Sequence, residues 1–333
     1  MSKQQIIIRV DGNPQIGLGH IYRGIALAEM LKDEFEISFL TKKNTTVSPI
    51  NDAGFKYKYL PDITTIDEPA WLKQNVDNKS IIICDGYEFK SEYQKQIKQC
   101  GFKLVFIDDL SAWHMYADIV INHSPGVKKS DYSRESYTKL ALGFDYAILR
   151  PAFLKAVEKG RVIKQIHTAF ICFGGADIYD LSFRATTLFL QLNEIKRINI
   201  LLGASYIHKK IFDLKKVGKE IVFYKNLSDQ QIVKVILNSD LGIVPSSSIL
   251  YEVCAVNLPV ASGYYVENQK SIYHGALTHK CIYPLGDIKK LDYHKIFSFV
   301  SEIKMNFNRQ LQYQKQVLNI NIKSRILDLF INL

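Results

Sequence analysis

At 333 residues the chain exceeds the size at which a single hydrophobic core usually stops growing, so two domains are expected. Hydrophobic residues at 47% and charged residues at 23% are ordinary globular composition; they exclude a disordered chain, and no repeat of solenoid or propeller period is present. The formal charge of +10 is spread over dispersed lysines, with only short clusters such as Lys42-Lys43, Lys128-Lys129 and Lys215-Lys216 and no arginine-rich arm, so no nucleic-acid partner is expected.

The basic surface reads as a solvated one, with attraction to an anionic nucleotide or to the inner membrane leaflet as the weaker alternative. No apolar run approaches the length of a membrane span. The start, Met1-Ser2-Lys3-Gln4-Gln5, has no signal-peptide layout. Five cysteines are scattered without a CxxC pair, and Cys84, Cys172 and Cys254 fall in apolar stretches, as reduced core residues do. A cytoplasmic location is expected.

Short apolar runs alternate with helical patterns along the chain. This predicts an α/β protein with parallel sheets and crossover helices. The runs are 6–10, 37–40, 81–84, 104–107 and 119–121 in the first half, and 169–173, 198–202, 221–224, 241–244 and 260–263 in the second. Near-continuous apolar strands fit sheets covered on both faces. The alternation breaks at 151–165, which opens Pro151-Ala152-Phe153 and is rich in charge. The expected organisation is therefore a Rossmann-like domain over 1–150, a linker over 151–165, a second Rossmann-like domain over 166–290, and a helical tail over 291–333 that packs back across the first domain. Ligands of open parallel sheets bind beyond the carboxyl ends of the strands, and two such domains facing each other would form a cleft.

The informative residues follow strands. After 6–10 comes Asp11-Gly12-Asn13-Pro14-Gln15-Ile16-Gly17-Leu18-Gly19-His20, then a helix with Ile21, Ile25, Ala28 and Leu31 on one face. Gly17 and Gly19 let the backbone approach a ligand closely. Tyr22 occupies the third glycine position of the dinucleotide fingerprint, and no Gly-Lys-Ser/Thr follows, so neither that fingerprint nor a P-loop is present. His20 at a helix N-terminus is expected to have a lowered pKa, which suits a general base; a histidine that merely caps the turn is an equal alternative.

After 169–173 comes Phe173-Gly174-Gly175-Ala176-Asp177, with a helix expected near Asp180 and glycine N–H groups offered to phosphate. A tight strand-to-helix turn is the alternative. After 241–244, Ser246-Ser247-Ser248 precedes Glu252; the serines either bind phosphate or cap the helix, and Glu252 either reaches a ribose or is solvated. After 260–263 comes Tyr264-Tyr265-Val266-Glu267-Asn268-Gln269, a polar loop able to orient a sugar or nucleotide. Asp85, Tyr87, Asp108, Asp109 and Asn122 also follow strands and could equally be turn residues, with a structural role expected for at least one of Asp108 and Asp109. The remaining histidines, including His114 and His123, show no metal-ligand spacing, and no metal site or cofactor is expected.

The segment 11–23 resembles the D-x-x-x-x-I-G-x-G-H-x-x-R signature of the UDP-2,4-diacetamido-2,4,6-trideoxy-β-L-altropyranose hydrolases of bacterial pseudaminic acid synthesis. The resemblance extends through Asp85-Gly86-Tyr87, Ile107-Asp108-Asp109, the Gly-x-x-Tyr-x-x-Leu-Arg of 143–150, Cys172 to Asp177, Ser246-Ser247-Ser248 with Glu252, and Tyr265 to Gln269. It implies a GT-B fold, related to that of the peptidoglycan GlcNAc transferase. It also implies a UDP-sugar as the small-molecule partner. By that resemblance His20 would activate water. Gly17, Gly19, Arg23, Asp85, Tyr87 and Asn268 would line the sugar site. Gly174, Gly175, Ser247 and Ser248 would hold the diphosphate, with Glu252 on the ribose and Gln269 in the same loop. Pro151-Ala152 departs from the acidic residues often found after Leu-Arg in that family. The rival readings are a GT-B glycosyltransferase, a non-catalytic nucleotide-sugar-binding protein and, less favoured, a UDP-sugar 2-epimerase. A monomer is compatible with the sequence, which leaves the oligomeric state open.

Overall fold

The computed structural model describes residues 3–13, 15–215 and 218–333 apart from Gly160. Met1, Ser2, Pro14, Gly160, Lys216 and Val217 lie outside the described residues, as do the side chains of Lys159 and Phe307. The chain divides into two compact units, residues up to Arg150 with Asn321–Leu333, and Pro151–Ile320.

The first unit runs β1 (Gln5–Val10), α1 (Gly19–Leu31), β2 (Glu36–Thr41), α2 (Ser48–Asp52), β3 (Lys56–Tyr59), α3 (Glu68–Asn75), β4 (Ile81–Asp85), α4 (Ser91–Gln99), β5 (Lys103–Ile107), β6 (Ile119–Asn122) and β7 (Lys139–Leu142). These strands form one parallel sheet in the order β3-β2-β1-β4-β5-β6-β7. The order reverses between β1 and β4, the switch point where open sheets of this kind bind ligands. On α1, buried Ile21, Gly24, Ala28 and Leu31 recur at helical spacing. The opposite face of the sheet packs Ile7, Ile82, Cys84 and Phe106 against Leu72, Tyr93 and Ile97 of α3 and α4.

The second unit runs α5 (Pro151–Lys159), β8 (Thr168–Ile171), α6 (Leu181–Phe189), β9 (Arg197–Leu201), β10 (Glu220–Tyr224), α7 (Asp229–Leu237), β11 (Leu241–Pro245), α8 (Ser248–Ala255), β12 (Val260–Tyr264), α9 (Gln269–Thr278), β13 (Tyr283–Asp287), α10 (Tyr293–Met305) and α11 (Phe307–Val317). Its parallel sheet has the order β10-β9-β8-β11-β12-β13, with the switch point between β8 and β11. The five cysteines are free thiols, and no helix among the described residues is long and apolar enough to cross a membrane.

The segment expected as a linker is partly structured, because Pro151–Lys159 is α5 and packs on α7 and α8. Of the expected tail, α10 buries Ile296, Phe299, Val300 and Ile303 in the second core. On α11, Gln310 bonds both backbone groups of Val260, at 2.6 and 3.1 Å. Only α12 (Ile322–Ile331) lies on the first unit. There Phe330 meets Phe35 edge to face, and Lys323 and Arg325 pair with Asp33 and Asp145.

A buried charge cluster anchors the start of the first glycine loop. Arg9, fully buried on β1, makes a two-pronged ion pair with Glu68 at 2.8 and 2.9 Å and reaches Asp11 at 2.8 Å. Asp11 in turn accepts from the Lys42 N–H and the Thr45 hydroxyl, tying the loop to the end of β2. Removing one member of a buried pair strands the other charge. Glu68→Gln should therefore destabilise the first unit by about 3–5 kcal/mol in denaturant unfolding, and the double change Arg9→Met with Glu68→Leu by clearly less.

Candidate active site

Gly17 adopts φ +89°, a left-handed conformation that costs a side-chain-bearing residue strain. Its N–H closes onto the Asn13 carbonyl at 2.8 Å, and this turn delivers the chain into α1 at Gly19. His20 and Arg23, three residues apart, therefore share one helix face. Both turn to the end of β4. His20 Nδ1 lies 2.7 Å from an Asp85 carboxylate oxygen. Arg23 donates to both Asp85 oxygens at 2.8 and 2.6 Å, and to both Asp109 oxygens at 2.6 and 2.9 Å. Asp85 is completely buried, whereas the His20 side chain keeps 17% exposure. The ring is neither packed in the interior nor capping α1; it faces a small recess and meets Tyr87 edge to face at 5.2 Å.

The electrostatics follow from that arrangement. Burial alone would raise the Asp85 carboxyl, but the Arg23 guanidinium and the His20 hydrogen bond hold it down at about 2. A carboxylate at 2.7 Å requires a proton on Nδ1, so in the neutral ring Nε2 carries the lone pair. The expected lowering of the His20 pKa is corrected. Burial does disfavour imidazolium, and Arg23 opposes it, but the hydrogen bond and charge of Asp85, with Asp109, outweigh both and raise the pKa above 6.5. A specific carboxylate contact is stronger than the diffuse field of a helix end.

Asp108 has the structural role. Its carboxylate accepts from the Leu110 and Ser111 N–H groups and from the Tyr132 hydroxyl, holding the loop after β5. Asp109 instead clamps Arg23. His123, just after β6, is buried, and desolvation with the nearby Arg23 pushes its pKa down to about 4. His123 has no metal-ligand spacing in the sequence; its place directly after the buried strand β6 is the sequence signal that marks it.

In the second unit, Gly174 and Gly175 follow β8, and Ser247 and Ser248 follow β11, so both pairs stand at the switch point of that sheet. Gly203 packs so closely on the Gly174 and Gly175 carbonyls that a Cβ there would lie within 2.4 Å of them. α6 begins at Leu181, and the Leu181 and Ser182 N–H groups are already bonded to the Asp177 carboxylate, both at 2.8 Å. That helix end is therefore occupied by a side chain of the protein. Ser247 sits at the N-cap of α8, yet its hydroxyl makes no capping bond. Glu252 is buried, as is Gln269, whose Oε1 accepts from the Tyr265 N–H at 3.0 Å and closes the loop after β12. Asn268 is exposed beside it. Among the described residues, no group of three or more His, Cys, Asp or Glu side chains is arranged to hold a metal ion.

Over 271 residues, 80% of this chain and 94% of the relative, the sequence is 28% identical to the UDP-2,4-diacetamido-2,4,6-trideoxy-β-L-altropyranose hydrolase of Campylobacter jejuni. The chain is similar to the hydrolase that its motifs resemble. It is also 29% identical to an uncharacterized protein of Methanocaldococcus jannaschii, over 81% of this chain and 57% of that longer protein. It is 24% identical to the spore coat polysaccharide biosynthesis protein SpsG of Bacillus subtilis, over 79% and 78%. No family model matches. Among solved structures, MurG of Acinetobacter baumannii superposes with a TM-score of 0.67 at 12% identity, covering 99% of this chain and 100% of that one. The calicheamicin glycosyltransferase CalG4 gives 0.66 at 10%, covering 100% and 98%. The fold class is GT-B-like, with two parallel α/β units in one chain.

The His20–Asp85 contact sets a pH dependence. Imidazolium stabilises the folded state below about pH 6.5, and this contribution is lost as pH rises through the raised folded pKa. In NMR titration the His20 ring should titrate above 6.5, and Asp85→Asn should lower its midpoint. His123 should stay neutral down to about pH 4.

Proposed function

We propose that the chain hydrolyses a UDP-linked sugar, releasing UDP and the free sugar, with His20 as general base and Asp85 as its orienting carboxylate. The observation that carries this reading is the His20–Asp85 contact at the β1/β4 switch point, which leaves Nε2 as the basic nitrogen of a ring that keeps 17% exposure. The Asp85 contact raises the His20 pKa above its ordinary value, which makes the neutral imidazole a stronger base. The sequence similarity to the Campylobacter hydrolase supports hydrolysis, and supports UDP-2,4-diacetamido-2,4,6-trideoxy-β-L-altropyranose as the substrate, which would place the enzyme in pseudaminic acid synthesis.

The proposed step is a displacement at the anomeric carbon. A water gives a proton to His20 Nε2 while its oxygen bonds to that carbon. The carbon–oxygen bond to UDP breaks, its electron pair leaves on the diphosphate, and the sugar is released inverted. The transition state is oxocarbenium-like, as in glycoside hydrolysis generally. Asp85 stabilises the imidazolium as it forms. UDP is a good leaving group, so charge stabilisation matters more than a general acid. For that we assign the Gly174-Gly175 loop and the Ser247 and Ser248 hydroxyls, with Glu252 on the ribose and Gln269 shaping its loop. Gly17 and Gly19 would allow close approach of the sugar, and Tyr87 and Asn268 would contact it. Arg23, expected as a further sugar contact, would line the same site while it bonds Asp85 and Asp109. The cytosol, where free thiols persist, is the proposed compartment.

His20→Asn should lower kcat by roughly 10²–10⁴-fold, while UDP affinity measured by calorimetry stays unchanged. In wild type, the pH profile of kcat/KM should rise to a plateau through the His20 pKa. NMR of the reaction should show UDP and an inverted free sugar without any acceptor. UDP release that depends on an added alcohol would make the enzyme a glycosyltransferase, and near-normal turnover of the His20 variant would remove the base assignment.

A further inference from the structure

The loop after β8 holds a strained backbone. Between Gly174 and Asp180, three residues have a positive φ: Gly174 at +84°, Asp177 at +44° and Asp180 at +50°. Two of them carry side chains. Such backbone persists only where its surroundings fix it, and it gathers at ligand-binding loops. The groups that fix it come from the loop after β9. Gly203 lies so close to the Gly174 and Gly175 carbonyls that a Cβ there would overlap both oxygens. The Ser205 N–H donates to the Gly175 carbonyl at 3.2 Å. His208 Nε2 donates to the Asp177 carbonyl at 3.0 Å, and the Tyr206 hydroxyl donates to the Asp180 carboxylate.

In a trans peptide the N–H points away from the C=O of the same peptide unit, and no peptide among the described residues is cis. The Gly174 and Gly175 carbonyls are turned in toward the loop after β9, so the Gly175 and Ala176 N–H groups are turned out. Both residues are exposed, and neither N–H has an acceptor among the described residues. A Cβ built on Gly174 or Gly175 would meet nothing within 4 Å, so space is open around the turn. Successive N–H groups at a turn with a left-handed residue form a concavity that binds anions. The carboxylate that follows, Asp177, is engaged by the Leu181 and Ser182 N–H groups at 2.8 Å each and leaves the two outward amides unopposed.

We propose that the loop after β9 is the positioning element of the diphosphate site, with Gly203 as its central residue. By holding two carbonyls inward it aims the Gly175 and Ala176 N–H groups at one phosphate. Position 203 must be glycine, because a methyl group there would force both peptides to shift or turn. Donors fixed in advance lose little entropy on binding. The proposal rests on the reading of the Gly174-Gly175 loop as the diphosphate site and adds the residues that set its direction.

The test follows wild-type protein in ¹H–¹⁵N spectra as UDP, inorganic pyrophosphate or uridine is added. The Gly175 and Ala176 amide signals should move downfield with UDP and with pyrophosphate, and stay in place with uridine. In calorimetry, Gly203→Ala should weaken UDP and pyrophosphate binding roughly tenfold to a hundredfold, while the His20 ring titrates as in wild type. Tyr206→Phe, a milder loosening of the same loop, should weaken both anions to a smaller degree. Amide signals that stay put while UDP binds, or that move equally with uridine, overturn the proposal. So does a folded Gly203→Ala protein with wild-type UDP affinity. Where Gly203→Ala does not fold, Tyr206→Phe and the wild-type amide signals decide. Wild-type protein that shows these shifts yet releases UDP from no UDP-sugar overturns the hydrolase reading and leaves the positioning role standing. Protein that binds neither UDP nor pyrophosphate overturns both.

Discussion

The first unit is organised around one buried carboxylate. Asp85 closes β4 at the point where the strand order reverses, and it holds both His20 and Arg23 of α1. A lone carboxylate in that position would be expensive to ionise; with Arg23 against it and His20 on its other side it is ionised through the whole neutral range. Arg23 extends the arrangement to Asp109 after β5, and His123 after β6 lies within its field. Groups following four adjacent strands thus form a single electrostatic unit. Because Asp85 and Asp109 bring two negative charges and Arg23 one positive charge, the unit favours a further proton, and His20 is the group exposed enough to accept it.

This arrangement resolves the roles of the residues that follow strands. Asp108 and Asp109 are adjacent in sequence but opposite in function. One satisfies the backbone of its own loop, and the other reaches across to α1. The same contrast holds in the second unit. The Asp177 carboxylate occupies the end of α6, whereas the Ser247 hydroxyl leaves the start of α8 uncapped by side chain. A phosphate drawn to that sheet therefore meets a negative side chain at one helix end and neutral hydroxyls at the other. This favours the Ser247-Ser248 turn, and the Gly174-Gly175 loop over the end of α6 itself.

The ten strands legible in the sequence are those with predominantly apolar runs, interrupted at most by a single polar residue such as Arg9, Ser38 or Asn199. The three that escaped, β3, β7 and β13, are all edge strands. β3 reads Lys-Tyr-Lys-Tyr and is largely exposed, and β13 contains Pro284 and Gly286. An edge strand has one neighbour and less burial, so it needs neither a continuous apolar run nor a complete ladder of donors. The division of the last 43 residues was hidden for a similar reason. α10, α11 and α12 carry comparable amphipathic patterns, and only packing partners assign the first two to one unit and the third to the other.

The sequence by itself determined the parallel α/β class, the positions of the loops that follow strands, and the histidine at the head of α1. These depend on local periodicity and on residues close together in the chain. Only the tertiary structure decided that His20 is raised in pKa by Asp85 and that Arg23 clamps two carboxylates. Those contacts join residues 62 to 86 positions apart, and the energy of a charge is set by its neighbours in space.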